Sequence, residues 1–174
     1  MGPILARLEG MNTSKNPGTV TVNPLLVLED AAGALDLYQR VFGAEQLVRI
    51  DTPEGSVLHA ELGLGDSIVT VMEASDDFGT ASQSSVMDAA GKDPDTTCFS
   101  LDITVADVDA TTEAAREAGA TVREEPKDFE AAGVRFASIR DPYGVRWTIR
   151  QVIEEISKDE EQRRLQELFV GGAG

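Results

Sequence analysis

The same punctuation occurs twice along this chain. Asp30 stands where it can cap a helix, and an apolar series at three- and four-residue steps (Ala34, Leu35, Leu37, Tyr38, Val41, Phe42) follows it until Gly43-Ala44 stops the run. Asp107 opens a second helical stretch, whose apolar side is largely alanine through Ala118 and which ends at Gly119-Ala120. The two aspartates lie 77 positions apart and the two Gly-Ala pairs 76, a spacing that marks an internal duplication.

Strand signals surround each helix in the same order. A β-rich run ends at Leu25–Leu28, and after the first helix come 46–50, a turn at Pro53-Glu54-Gly55, a strand over 56–64, a tight Gly65-Asp66 and a strand over 67–73. The second round reads 99–105, helix, 121–124, 134–139 and 145–152. The pattern predicts an α+β fold of two βαβββ modules, at 19–74 and 97–152. Residues 1–18 read as a flexible N-terminal arm and the polar stretch 75–96 as a linker or lid. Over 153–174, Ile156, Leu165, Leu168 and Phe169 among charged residues suggest a C-terminal helix and tail.

Charge narrows the partners. The 174 residues carry 31 Asp and Glu against 15 Lys and Arg, a formal charge of −16 that repels phosphate backbones and argues against nucleic acid and anionic membranes. Solvation is the ordinary reason for such a surface, and a cationic ligand is the sharper one. The apolar stretches are too short to cross a bilayer and the N-terminus lacks the succession of a signal peptide, so a cytoplasmic location is expected. Cys98 has no partner for an internal disulfide and reads as a buried thiol on a strand.

Longer motifs now combine. Asn23-Pro24-Leu25-Leu26-Val27-Leu28-Glu29-Asp30, then Ala34-Leu35-Asp36-Leu37-Tyr38 and Val41-Phe42-Gly43-Ala44-Glu45, resemble the opening of glyoxalase-like proteins of the PhnB-like branch of the vicinal-oxygen-chelate superfamily. His59-Ala60-Glu61-Leu62 and Arg140-Asp141-Pro142-Tyr143-Gly144-Val145-Arg146-Trp147 extend the resemblance over roughly 19–151. It implies the glyoxalase/bleomycin-resistance fold, with curved mixed sheets around a cavity, and a homodimer. In the superfamily's enzymes a divalent metal is held by His, Glu or Asp on the first and last strands of each module.

Aligning the two halves places those four positions at Asn23, Ser100, Thr70 and Thr148, an amide and three hydroxyls. Neutral oxygens bind a transition metal far more weakly than imidazole or carboxylate, so no metal and no cofactor are expected there. His59 and Glu61, two apart on one strand and therefore on one face, leave a displaced metal site or an acid-base pair open.

Strand alternation turns Asn23, Leu25, Thr70, Met72, Ser100, Asp102, Arg146 and Thr148 toward the cavity. Trp147 joins these ligand-binding candidates only if a bulge shifts the register of the last strand. Such mixed walls suit a small organic ligand, as in the antibiotic-sequestering members of the superfamily. Two alternatives stay open: a lyase, isomerase or dioxygenase using displaced ligands or His59 with Glu61, and a structural or regulatory dimeric module.

Overall fold

The computed structural model describes residues 20–171 except 94, 97 and 98. The expected arm over 1–18 and the expected burial of Cys98 lie outside the described residues. In the first half, β1 (Leu25–Leu28), α1 (Ala31–Phe42), β2 (Glu45–Asp51), β3 (Val57–Leu64) and β4 (Ser67–Glu73) form one mixed sheet in the order β1-β4-β3-β2. After α2 (Gln83–Ala89), the second half repeats this with β5 (Leu101–Thr104), α3 (Val108–Glu117), β6 (Thr121–Phe129), β7 (Val134–Arg140) and β8 (Arg146–Val152) in the order β5-β8-β7-β6. Helix α4 (Lys158–Gly171) closes the chain's described part.

The duplicated punctuation has a duplicated physical basis. The side chain of Asp30 accepts from the backbone N–H of Gly33 at 2.8 Å, and that of Asp107 from Ala110 at 2.9 Å, so both helices start on a satisfied amide. Gly43 ends α1 in the left-handed region (φ 67°), where its N–H reaches back to the last turn. The parallel registers match as well: Leu25 pairs with Thr70, and Asp102 with Thr148.

One face of each sheet enters a shared core. Leu26, Leu28, Ala60, Leu62, Val69 and Val71 of the first and Ala137, Ile139, Trp147 and Ile149 of the second lie in a single core with α1 and α3. Tyr38 and Phe42 of α1 meet Trp147 at ring-centroid distances of 5.2 and 4.7 Å, so α1 is gripped between the two sheets. Each sheet's other face therefore looks away from α1.

The carboxylate of Asp141, fully buried, ties this arrangement. It accepts from Tyr38 Oη (2.7 Å), Trp147 Nε1 (3.0 Å) and the backbone N–H groups of Tyr143 (3.0 Å) and Val145 (2.9 Å). Burial pushes its carboxyl above the ordinary aspartate range, against the four hydrogen bonds that pull it down.

Within the stretch expected as a linker or lid, helix α2 is anchored at its start. Ser82 caps α2 and donates to Glu29 at 2.6 Å, while Ser84 Oγ lies 3.5 Å from the carbonyl of Tyr143, so this connection is docked on both modules. Polar side chains there read as solvated in sequence, yet they bond to the protein. Among the described residues, no helix is long and apolar enough to cross a membrane.

Candidate functional site

The expected site residues separate into three places. On the first sheet's open face, the register aligns Leu25, Thr70 and Glu61 in one row across β1, β4 and β3, with Met72 further along β4. His59 shares that face of β3. Its Nε2 lies 3.5 Å from Glu61 Oε1, within ion-pair range but without hydrogen-bond geometry, and is buried with no acceptor among the described residues.

On the second sheet's open face stand Ser100, Asp102, Arg146 and Thr148. Ser100 precedes β5, and its hydroxyl sits 3.4 Å from that of Thr148. Two of the four inferred ligand positions thus share a hydrogen bond. Asp102 meets Arg150 Nη2 at 3.5 Å.

Trp147, expected with the ligand-binding residues if a bulge shifted the last strand, stands apart from both open faces. Ser138 pairs with Thr148 and Ile139 with Trp147 without a bulge, so alternation turns Trp147 to the helix side, where it is 1% exposed and bonded to Asp141. It packs the core.

The third place is a cleft of about 1020 Å³ between the modules. The C-terminal end of α1 (Val41, Phe42), the β3–β4 turn and the approach to β1 wall one side, and β5 with Thr111 walls the other. β1 and β5 are the terminal strands of their sheets, so among the described residues each leaves one edge unpaired. Apolar Val41, Phe42, Leu64, Leu101, Ile103 and Val105 alternate with Asn23, Ser67, Thr104 and Thr111, and the charged residues lining it are Asp66 and Asp102. Of the sequence candidates, Asn23, Asp102 and the edge of Trp147 reach it. Val41, Phe42 and the β5 edge were missed because helix-facing residues read as core.

These donor sets do not fit a metal ion. The four positions offer an amide and hydroxyl oxygens, and among the described residues no group of three or more His, Cys, Asp or Glu converges.

A family model described as Glyoxalase/Bleomycin resistance protein/Dioxygenase superfamily matches residues 20–149. An uncharacterised protein of Mycobacterium tuberculosis is 34% identical over 143 residues, which span 81% of this chain and 79% of that protein. The crystal structure of TioX from Micromonospora sp. ML1 aligns with a TM-score of 0.54 at 28% identity, covering 79% of this chain and 100% of that one. A PhnB protein from Bacillus cereus shares the fold, with a TM-score of 0.57 at 17% identity over 76% of this chain and 99% of its own.

Proposed function

The chain belongs to the Glyoxalase/Bleomycin resistance protein/Dioxygenase superfamily, and from that premise we propose that it is a small-molecule binding protein that captures an organic ligand in the cleft between its modules. The observation that carries this reading is the cleft's composition: apolar walls, a few hydroxyl and amide groups, and carboxylates as its charged side chains. Shape and dispersion would hold the ligand's body, and Asn23, Ser67, Thr104 and Thr111 would orient it. Asp66 and Asp102 favour a cationic group, in keeping with the net charge of −16. No metal takes part, because Asn23, Thr70, Ser100 and Thr148 supply only neutral donors.

Antibiotics enter as a ligand class through the family's own description, which names bleomycin resistance proteins. A homodimer belongs to the same reading. The face bearing Leu25, 53% exposed, and the face bearing Ser100 and Asp102 are left open by a single chain, and a second copy would cover them.

A thermal-shift screen of cationic antibiotics, neutral analogues and divalent metals tests the proposal. A ligand at 100 times its dissociation constant raises stability by about 2.7 kcal/mol. A response to cationic organic compounds is expected. A response confined to metals would overturn the reading.

One observation favours a second reading, a metal-free isomerase: His59 Nε2 and Glu61 Oε1 lie 3.5 Å apart on one sheet face, near enough for a bound substrate to draw them into proton-transfer range. His59→Ala would then abolish turnover while leaving ligand affinity intact. Unchanged turnover would end it.

A further inference from the structure

The open face of the second sheet carries a concentration of positive charge that the composition hides. Arg140 of β7 and Arg146 of β8 are directly paired across the ladder, a placement of like charges that costs stability unless an anion lies between them. Arg123 of β6 joins them from the next strand. All three converge on one residue, Asp95, in the connection between α2 and β5: Arg123 Nη1 and Arg140 Nε bond its carboxylate, the latter at 2.8 Å, and Arg146 Nη2 donates to its backbone carbonyl at 3.1 Å.

Two guanidinium groups thus meet one carboxylate, and a third meets the backbone carbonyl of the same residue. The carboxylate does not come from the sheet. Asp93 braces it: its Oδ1 accepts from the N–H of Asp95, and its carbonyl from that of Thr96, each at 2.8 Å. Asp95 remains 29% exposed, Arg123 31% and Arg140 25%, so these three can be reached from water.

Ser100 and Thr148 hydroxyls lie beside Arg146. Arg150, four residues on along the same face, pairs with Asp102 through Nη2 at 3.5 Å and leaves its Nε buried without an acceptor among the described residues.

We propose that this arginine cluster is a binding site for the oxyanion of a small molecule, a carboxylate or a phosphoryl group, and that Asp95 occupies it as a tethered stand-in. Planar guanidinium forks match both anions, and a phosphoryl group would engage all three arginines where Asp95 engages two with its carboxylate. The site goes beyond the intermodule cleft, which offers carboxylates rather than cations. Ligand entry requires the Asp95 side chain to leave, so Asp95 acts as an internal competitor, and its removal raises apparent affinity by the inverse of the fraction of time the site stands unblocked.

Calorimetric titration of the full chain with inorganic phosphate and, separately, with benzoate at constant ionic strength tests this. Asp95→Asn and Asp95→Ala, both surface changes, are each expected to bind one of the anions about tenfold tighter than the parent, as for a site blocked nine-tenths of the time. Adding Arg140→Gln and Arg146→Gln to Asp95→Asn should remove that gain. The arm that responds, phosphate or benzoate, identifies the anion. Equal affinity in parent and both Asp95 variants, or a gain that survives loss of the two arginines, would overturn the site. Binding of cationic compounds in the cleft is read in the same variants, so failure of one reading leaves the other standing or falling by itself.

Discussion

The hydroxyl of Tyr38 on α1 donates to the carboxylate of Asp141, 103 residues away in the second module, at 2.7 Å and out of contact with water. This bond joins the two halves at the point where the first module's helix enters the second module's core. A hydrogen bond to a buried charged acceptor contributes about 1.5–3 kcal/mol. Tyr38→Phe is therefore expected to lower unfolding stability by that amount in urea denaturation, with the fold retained.

Asp141 itself gives a pH signature. Its folded-state pKa is raised by burial, so between the unfolded aspartate value and the folded one the native state holds more protons, and stability falls as pH rises through that window. Asp141→Asn cannot titrate there. The stability of the parent relative to Asp141→Asn is expected to increase as pH is lowered from neutral toward 4, measured by urea denaturation at both ends.

Gly144 offers a test of how the connection over 75–96 is held. Its φ is 88°, and a Cβ there would stand 2.2 Å from Ser84 Oγ; at Gly43, φ 67°, a Cβ meets nothing within 4 Å. Gly43→Ala should cost about 1–2 kcal/mol, the penalty of the left-handed conformation alone. Gly144→Ala should cost more, and Ser84→Ala should return the excess in a double-mutant cycle read by thermal denaturation.

The cleft's carboxylates predict a salt dependence. Asp66→Asn and Asp102→Asn should each weaken a cationic ligand by about 0.2–1 kcal/mol, the range for exposed charge pairs. The loss should shrink as ionic strength rises, because these side chains are open to solvent. Titration of one cationic compound at low and high salt checks both statements.

Much of the fold was legible because its signals are local. Asp30, Asp107 and the two Gly-Ala stops each act within a few residues, and their spacing carried the duplication without any knowledge of packing. The site was less legible. Trp147 depended on whether one strand is bulged, a one-residue question that periodicity leaves open and that pairing with Ile139 answers. Arg123, Arg140 and Arg146 come from three strands, and Asp95 from a segment whose composition reads only as solvent-exposed, so nothing in the sequence brings them together. The cleft is a product of how the modules dock around α1, and Val41 and Phe42 look like ordinary core until that docking is known.

The central claim, capture of an organic ligand in the cleft without a metal ion, meets its most direct test in calorimetry on protein dialysed against EDTA. The tightest compound from the thermal-shift screen should bind with the same affinity before and after chelation, and more weakly to Asp66→Asn. Binding that vanishes with chelation and returns with one equivalent of a divalent ion per chain would contradict the account.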